Sequence, residues 1–312
     1  MKYSKSELYS IALDSEVQHL NNTELEELQT IVSEIPENIH AICFENRIDQ
    51  FDDPVDFLVC YYCSPHNLDS VSSYINQKTP NKYALRINDF ISNRKHSPAY
   101  KLVNLIWFSF DYEEGRYSTV PTFCVSTQHC QFSDFSLLSS FIINASEILA
   151  PEFLNKTKEL LPSLECTRIN HFSFTFGRKE FRAKFVFKLE TLRLPSLLKD
   201  LDWKGNLYLL EQLLNTIVQV SDEIQVGLSY STELSEKIEI ELPWITSLDE
   251  NYLQDSFLSS LRKITEKELS TNLTPWLNLK VQTGYYIKIT LTSASEFNIK
   301  SYLYSSPYKK RK

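Results

Sequence analysis

Glycine and methionine are scarce in this chain of 312 residues, at 5 and 1. Loops that cradle phosphate need glycine where the backbone must approach a ligand closely, and neither G-x-G-x-x-G nor G-x-x-x-x-G-K occurs, which excludes a Rossmann or P-loop nucleotide site. An excess of positive charge is also lacking. The formal net charge is -8, so there is no general basic footprint for nucleic acid. The one basic run, Lys309-Lys310-Arg311-Lys312, reads as the end of a flexible basic tail over 305–312. No stretch approaches the roughly 18 apolar residues of a membrane span, and the first ten residues carry no apolar leader segment, so the expected compartment is the cytoplasm with no membrane span. Six cysteines, Cys43, Cys60, Cys63, Cys124, Cys130 and Cys166, are too few for a disulfide scaffold and are expected as reduced thiols.

What the chain does have is alternation. Hydrophobic residues make up 42% and aromatics 13%, enough for a substantial core, and no Gly/Ser/Pro-rich linker divides the chain, so one domain over 1–312 is expected. Thr23-Glu24-Leu25-Glu26 reads as a capping box opening an amphipathic helix near 23–35. Strands are expected at 40–46 and 56–63, a short helix near 67–76, and a strand near 83–88. Residues 102–111 and 117–127 read as a hairpin around Glu113-Glu114-Gly115, and 134–149 and 152–161 as helices broken at Pro151. Hairpins then recur at 169–176 with 181–189, 224–231 with 236–242, and 279–292 with 298–304. Between them stand helices over 195–220, broken at Gly205, and from the Ser247-x-x-Glu250 cap to about Leu269.

Period 2 assigns the two faces of each strand. Phe181, Ala183, Phe185, Phe187 and Leu189 oppose Arg182, Lys184, Val186 and Lys188; Ile238, Ile240 and Leu242 oppose Lys237, Glu239 and Glu241; Tyr285, Ile287, Ile289 and Leu291 oppose Tyr286, Lys288 and Thr290. The amphipathic helices must bury their stripes on the apolar face. The expected fold class is therefore α+β, an antiparallel β-barrel or strongly curved sheet of about ten strands with helices covering the outer face. The polar face then either lines a lumen or looks at solvent.

Tandem hairpin-helix units with a polar inner face resemble the ABBA prenyltransferases, whose PT barrel of αββα repeats spans about this length. Tyr285-Tyr286-Ile287-Lys288-Ile289-Thr290-Leu291 followed by Lys300-Ser301-Tyr302-Leu303-Tyr304-Ser305-Ser306-Pro307 is similar to the last hairpin of the fungal indole members. Arg182-Ala183-Lys184-Phe185-Val186-Phe187 is similar to the strand that brings a lysine to the diphosphate. The resemblance implies a transferase moving an allylic prenyl group from a diphosphate donor to an aromatic small molecule or peptide side chain. Arg182, Lys184, Lys188, Lys237, Lys288 and Lys300 would receive the diphosphate, with Mg²⁺ as its candidate companion. Tyr230, Tyr286, Tyr302 and Tyr304 would shield the allyl cation, and Glu45 and Asp111 are the carboxylates available for the acceptor.

Other signals are weaker. Asp52-Asp53-Pro54-Val55-Asp56 matches the Asp-Asp-x-x-Asp of helical isoprenoid synthases, but Pro54 breaks the helix that such a metal site needs, so a turn is expected. Cys60-x-x-Cys63 with His66, and Cys124 with His129 and Cys130, lack zinc-knuckle spacing, and no nucleophile elbow accompanies His171. The four tryptophans, Trp107, Trp203, Trp244 and Trp276, fit core or rim positions. The competing function, from another class, is a non-catalytic binding or assembly protein in a bacterial biosynthetic pathway that docks a peptide or partner on the polar face.

Overall fold

The chain is described by a computed structural model over residues 4–7, 9–10, 20–47, 55–78, 82–93, 103–113, 115–118, 120–127, 135–176, 180–243, 250–265, 281–292, 294 and 296–309. Its elements in chain order begin with helix α1 (Asn22–Glu34), strands β1 (Ile39–Arg47) and β2 (Asp56–Tyr62), helices α2 (Pro65–Lys78) and α3 (Lys82–Asn93), and strand β3 (Leu105–Phe110). A small hairpin of β4 (Tyr112–Glu113) and β5 (Arg116–Tyr117) precedes β6 (Thr122–Ser126), α4 (Phe135–Leu149), α5 (Leu154–Leu160), β7 (Arg168–Phe174) and β8 (Ala183–Glu190). Then come α6 (Leu194–Asp200), α7 (Leu207–Ile217), β9 (Glu223–Tyr230), β10 (Leu234–Pro243), α8 (Glu250–Thr265), β11 (Val281–Leu291) and β12 (Phe297–Lys309).

Ten strands close into one antiparallel barrel in the order β1-β12-β11-β10-β9-β8-β7-β6-β3-β2. Hairpins join neighbours at one end and helical crossovers at the other, so the chain winds once around the barrel. The first and last strands meet, with Cys43 opposite Tyr304 and Glu45 opposite Tyr302. Closure leaves no open edge in the sheet.

The helices bury their stripes on the outer apolar face, as the alternation requires. Phe185 of β8 shows the packing: its ring lies 5.0 Å from Phe172 of β7 and 5.3 Å from Tyr230 of β9, both pairs stacked. All three are fully buried. Removing such a ring leaves a cavity between sheet and helices, and Phe185→Ala costs about 3–5 kcal/mol. One core cluster runs around the whole exterior of the barrel, from Leu28 of α1 to Ile299 of β12.

Four local expectations change. The capping box stands two residues earlier: Asn21 Oδ1 accepts the Glu24 N–H at 3.0 Å, and Glu24 Oε2 accepts the Asn21 N–H at 2.9 Å. Residues 83–88 lie in helix α3, because Ala84, Ile87, Phe90 and Ile91 form a buried stripe of helical spacing that overrides the local alternation. The hairpin read over 102–127 is interrupted, since β4 and β5 turn at Gly115, φ 84°, between the two barrel strands. The expected tail does not begin at 305. Strand β12 continues to Lys309, with Ser305 opposite Ile42 and Ser306 opposite Gln282, so backbone pairing persists past the end of the side-chain alternation. Residues 310–312 lie outside the described residues, as do 52–54 of the Asp-Asp-x-x-Asp segment, Trp244, Trp276, His129 and Cys130.

Candidate functional site in the barrel lumen

The inward side chains of β1, β2, β8, β10, β11 and β12 build an alternating chain of charge across the lumen. Asp56 Oδ2 lies 3.0 Å from Lys300 Nζ, which also lies 3.0 Å from Glu45 Oε1. Glu45 Oε1 is 2.8 Å from Lys288 Nζ, and Lys288 reaches Glu239 at 3.7 Å. Glu239 closes the chain on Lys184 at 2.9 Å and Lys237 at 3.1 Å. Register explains the assembly: Glu45 stands opposite Asp56 and Tyr302, Lys288 opposite both Lys300 and Glu241, and Gly227 opposite Glu239. Gly227 leaves room for this side chain, since a Cβ there would meet Glu239 Cβ and Oε2, each at 3.2 Å, and the carboxylate would have to give way by a few tenths of an ångström.

Burial and pairing set the protonation of these groups. Burial raises the Glu45 carboxyl, but Lys288, Lys300 and the Tyr302 hydroxyl together hold it well below the usual carboxylate range. Glu239 is depressed in the same way by Lys184, Lys288 and Lys237 against the burial penalty. Burial would lower Lys300, yet Glu45 and Asp56 raise it. Asp56 and Glu241 go the other way: burial dominates and lifts both carboxyls. The Tyr302 phenol is raised by burial and by Glu45, and its ring centroid lies 4.9 Å from Lys288 Nζ, a cation–π contact.

Further along β1 and β2, and on β3, the lining is apolar. Ala41, Cys60 and Leu105, with Trp107 packed against them, form a second cluster separate from the outer core. Burial raises the Cys60 thiol, and Cys124, on the neighbouring strand to Trp107, is pushed up to about 12, so these cysteines line the wall as neutral thiols. Ser173 and Lys184 continue the row from Cys124, register partner by register partner.

Of the residues singled out by sequence, Glu45, Lys184, Lys237, Lys288, Lys300 and Tyr302 come together. Arg182 does not join them: it pairs with Glu180 and donates from Nη1 to Ser235 Oγ at 2.8 Å. Lys188 lies toward the opposite end of β8, 3.6 Å from Glu223. Asp111 is buried beside Asp56 and accepts from Ser109 Oγ at 3.2 Å and Thr122 Oγ1 at 3.4 Å. Tyr230 is a correction. It shares the parity of Ile224, Val226 and Leu228, so it faces the helices, where its hydroxyl lies 2.8 Å from Thr157 Oγ1. Tyr286 and Tyr304 stand in the register of the inward row, opposite Tyr302 and Cys43, and their side chains lie outside the described residues.

Sequence reasoning found Glu45 but missed three other carboxylates of the lumen. Asp56, Glu239 and Glu241 occupy the same inward parity as the lysines, and the polar set Lys237, Glu239, Glu241 already carried that signal. Asn170 and Gln225 were also missed: Asn170 Nδ2 donates to Gln225 Oε1 at 2.7 Å, and Gln225 Nε2 donates to Glu241. No group of three or more His, Cys, Asp or Glu side chains among the described residues is arranged to hold a metal ion.

Solved structures share this architecture. AnaPT from Neosartorya fischeri aligns at TM-score 0.54 and 13% identity over 88% of this chain and 80% of its own. The fold is the PT barrel. NotF, solved with brevianamide F and DMSPP, covers 98% of this chain and 94% of its own at TM-score 0.53 and 10% identity. A 6-dimethylallyl tryptophan synthase gives TM-score 0.51 at 10% identity, over 88% of this chain and 84% of that one. No family model and no curated protein sequence matches the chain. The likeness is one of PT-barrel architecture, shared with ABBA prenyltransferases. No helix among the described residues is long and apolar enough to cross a membrane.

Proposed function

We propose that this PT barrel transfers an allylic prenyl group from a diphosphate donor to an aromatic small molecule or a peptide side chain held in its lumen. The observation that carries the reading is the convergence of Lys184, Lys237, Lys288 and Lys300 from four strands on one enclosed space. Departure of diphosphate concentrates negative charge on its oxygens, and ammonium groups fixed in a water-poor cavity stabilise that charge without reorganising. The ring of Tyr302, already against Lys288, offers a π face to an allyl cation. The neighbouring wall of Trp107, Leu105 and Cys60 supplies an apolar surface for a planar acceptor. NotF, which binds brevianamide F and DMSPP, supports both ligand classes by analogy of fold.

A specific observation favours a second reading, a non-catalytic binding or assembly protein. Each lysine of the lumen chain is already within ion-pair distance of a carboxylate. A lumen neutralised by its own residues suits a less charged ligand.

Thermal shift separates the two readings. Dimethylallyl, geranyl and farnesyl diphosphates, with inorganic diphosphate as control, are expected to stabilise the protein by about 2.7 kcal/mol at a hundredfold excess over Kd. No shift with any of the four rejects prenyl transfer in favour of the binding reading.

A further inference from the structure

Glu241 differs from every other carboxyl in the charged chain. Glu45, Asp56 and Glu239 each lie within 3.0 Å of a lysine nitrogen. Among the described residues Glu241 forms no ion pair, and the hydrogen bond it makes there is accepted at Oε2 from Gln225 Nε2, with none at Oε1. The Gln225 amide cannot turn away freely, because its Oε1 accepts from Asn170 Nδ2 at 2.7 Å. An arm of two amides from β7 and β9 therefore holds the carboxyl in one orientation.

Its position is central. Glu241 faces Lys184 from β8, Gln225 from β9, Glu239 on its own strand, Lys288 from β11 and Tyr302 from β12, and its field reaches Cys124 on β6. Cys124 is four strands away around the barrel, so the carboxyl projects into the shared interior. Glu45 has no such freedom: its Oε1 meets both Lys288 and Lys300, and Tyr302 bonds it as well.

Building on the prenyl-transfer reading, we propose that Glu241 is the carboxylate that engages the acceptor and takes its proton, while Glu45 holds the lysines. In the step, the allylic C–O bond breaks and its electron pair leaves with the diphosphate. The acceptor atom gives an electron pair to the allylic carbon, and the proton lost from the acceptor passes to the Glu241 carboxylate. Burial lifts the Glu241 carboxyl above the ordinary range, which makes it a better proton acceptor once ionised.

The test uses the full chain, wild type and the variants Glu241→Gln and Glu241→Asp, with dimethylallyl diphosphate and indole. Glu241→Gln is expected to lower kcat about 10²- to 10⁴-fold and to erase the acid limb of the pH profile, which Glu241→Asp keeps. Diphosphate-induced thermal stabilisation retained by Glu241→Gln shows that the variant is folded. Unchanged rate or an unchanged acid limb in the Gln variant overturns the proposal. Where inorganic diphosphate binds but no turnover is seen, indole affinity measured by calorimetry decides: binding at least about tenfold weaker in Glu241→Gln supports it, a change of roughly 1.4 kcal/mol. Equal binding in both proteins, or none in either, overturns it. Absence of diphosphate binding in wild type rejects the functional reading itself, and this inference with it.

Discussion

Lys288 Nζ lies 2.8 Å from Glu45 Oε1 with both side chains 8% exposed, on strands β11 and β1, which are both hydrogen-bonded to β12. Losing one member of a buried pair strands the other charge in a medium that solvates it poorly, so Lys288→Met and Glu45→Gln should each cost about 3–5 kcal/mol. The double variant should cost less than their sum, with a coupling of about 0.5–3 kcal/mol in urea unfolding. Additive costs would show that the two groups do not sense each other. Glu45 also bonds Lys300, so Glu45→Gln should be the costlier single change.

The lumen carboxyls split into two groups with opposite pH signatures. Glu45 and Glu239 are depressed in the fold, so their stabilisation is present above the unfolded value of about 4.3 and is lost as pH falls below it toward the folded values. Asp56 and Glu241 are raised by burial. They ionise first in the unfolded chain, so their contribution declines as pH rises from about 4 toward their folded values. These four groups therefore place the stability maximum close to their unfolded values, at about pH 4. Urea midpoints measured across pH check this, and Glu241→Gln should flatten the decline on the alkaline side of the peak while leaving the acid side intact.

The alternation of β8, β10 and β11 made a half-buried sheet legible, because period 2 assigns every side chain to a face, and the count of about ten strands tilted the reading toward a closed or strongly curved sheet. The lysines Lys184, Lys288 and Lys300 were legible for the same reason. Their partners were harder to see, since Glu239 or Asp56 on a strand looks the same whether it faces water or a buried ammonium. Only register decides that, and register depends on hairpin geometry and bulges such as the shift between Leu234 and Ile238. The α3 stripe was misread because six residues contain too few turns for a helical period to outvote alternation. Tyr230 was assigned by residue type instead of parity, and parity placed it with Leu228 and Val226 in the outer core.

That placement of Tyr230 is testable by a single oxygen. Tyr230→Phe removes the 2.8 Å bond to Thr157 Oγ1 while keeping the stack on Phe185. Thr157 retains its bond to the Phe153 carbonyl at 3.0 Å, so no buried donor is orphaned. The cost should be about 1 kcal/mol in denaturant unfolding. The thermal shift induced by inorganic diphosphate should be unchanged, whereas a residue lining the lumen would alter it.

Asp56 joins the charged lumen to the small hairpin at the barrel's end. Its Oδ2 takes Lys300 Nζ and its Oδ1 accepts the Tyr112 N–H, each at 3.0 Å. The same hairpin is tied to α1 by the Tyr117 N–H donating to Glu27 Oε2 at 2.9 Å, and to Val55 by the Tyr117 hydroxyl at 2.7 Å. Asp56→Ala removes a hydrogen bond to a charged acceptor, worth about 1.5–3 kcal/mol, so the Tyr112 amide should exchange roughly 10- to 100-fold faster. Asp56→Asn keeps an oxygen that can accept the Tyr112 N–H but loses the charge facing Lys300, so the amide should stay protected. Lys300, left with Glu45 alone, should then bind inorganic diphosphate more tightly than in the wild type. Hydrogen exchange at Tyr112 and calorimetry with diphosphate read the two effects separately, and equal exchange in the Ala and Asn variants would show that the carboxylate oxygen does not hold the hairpin.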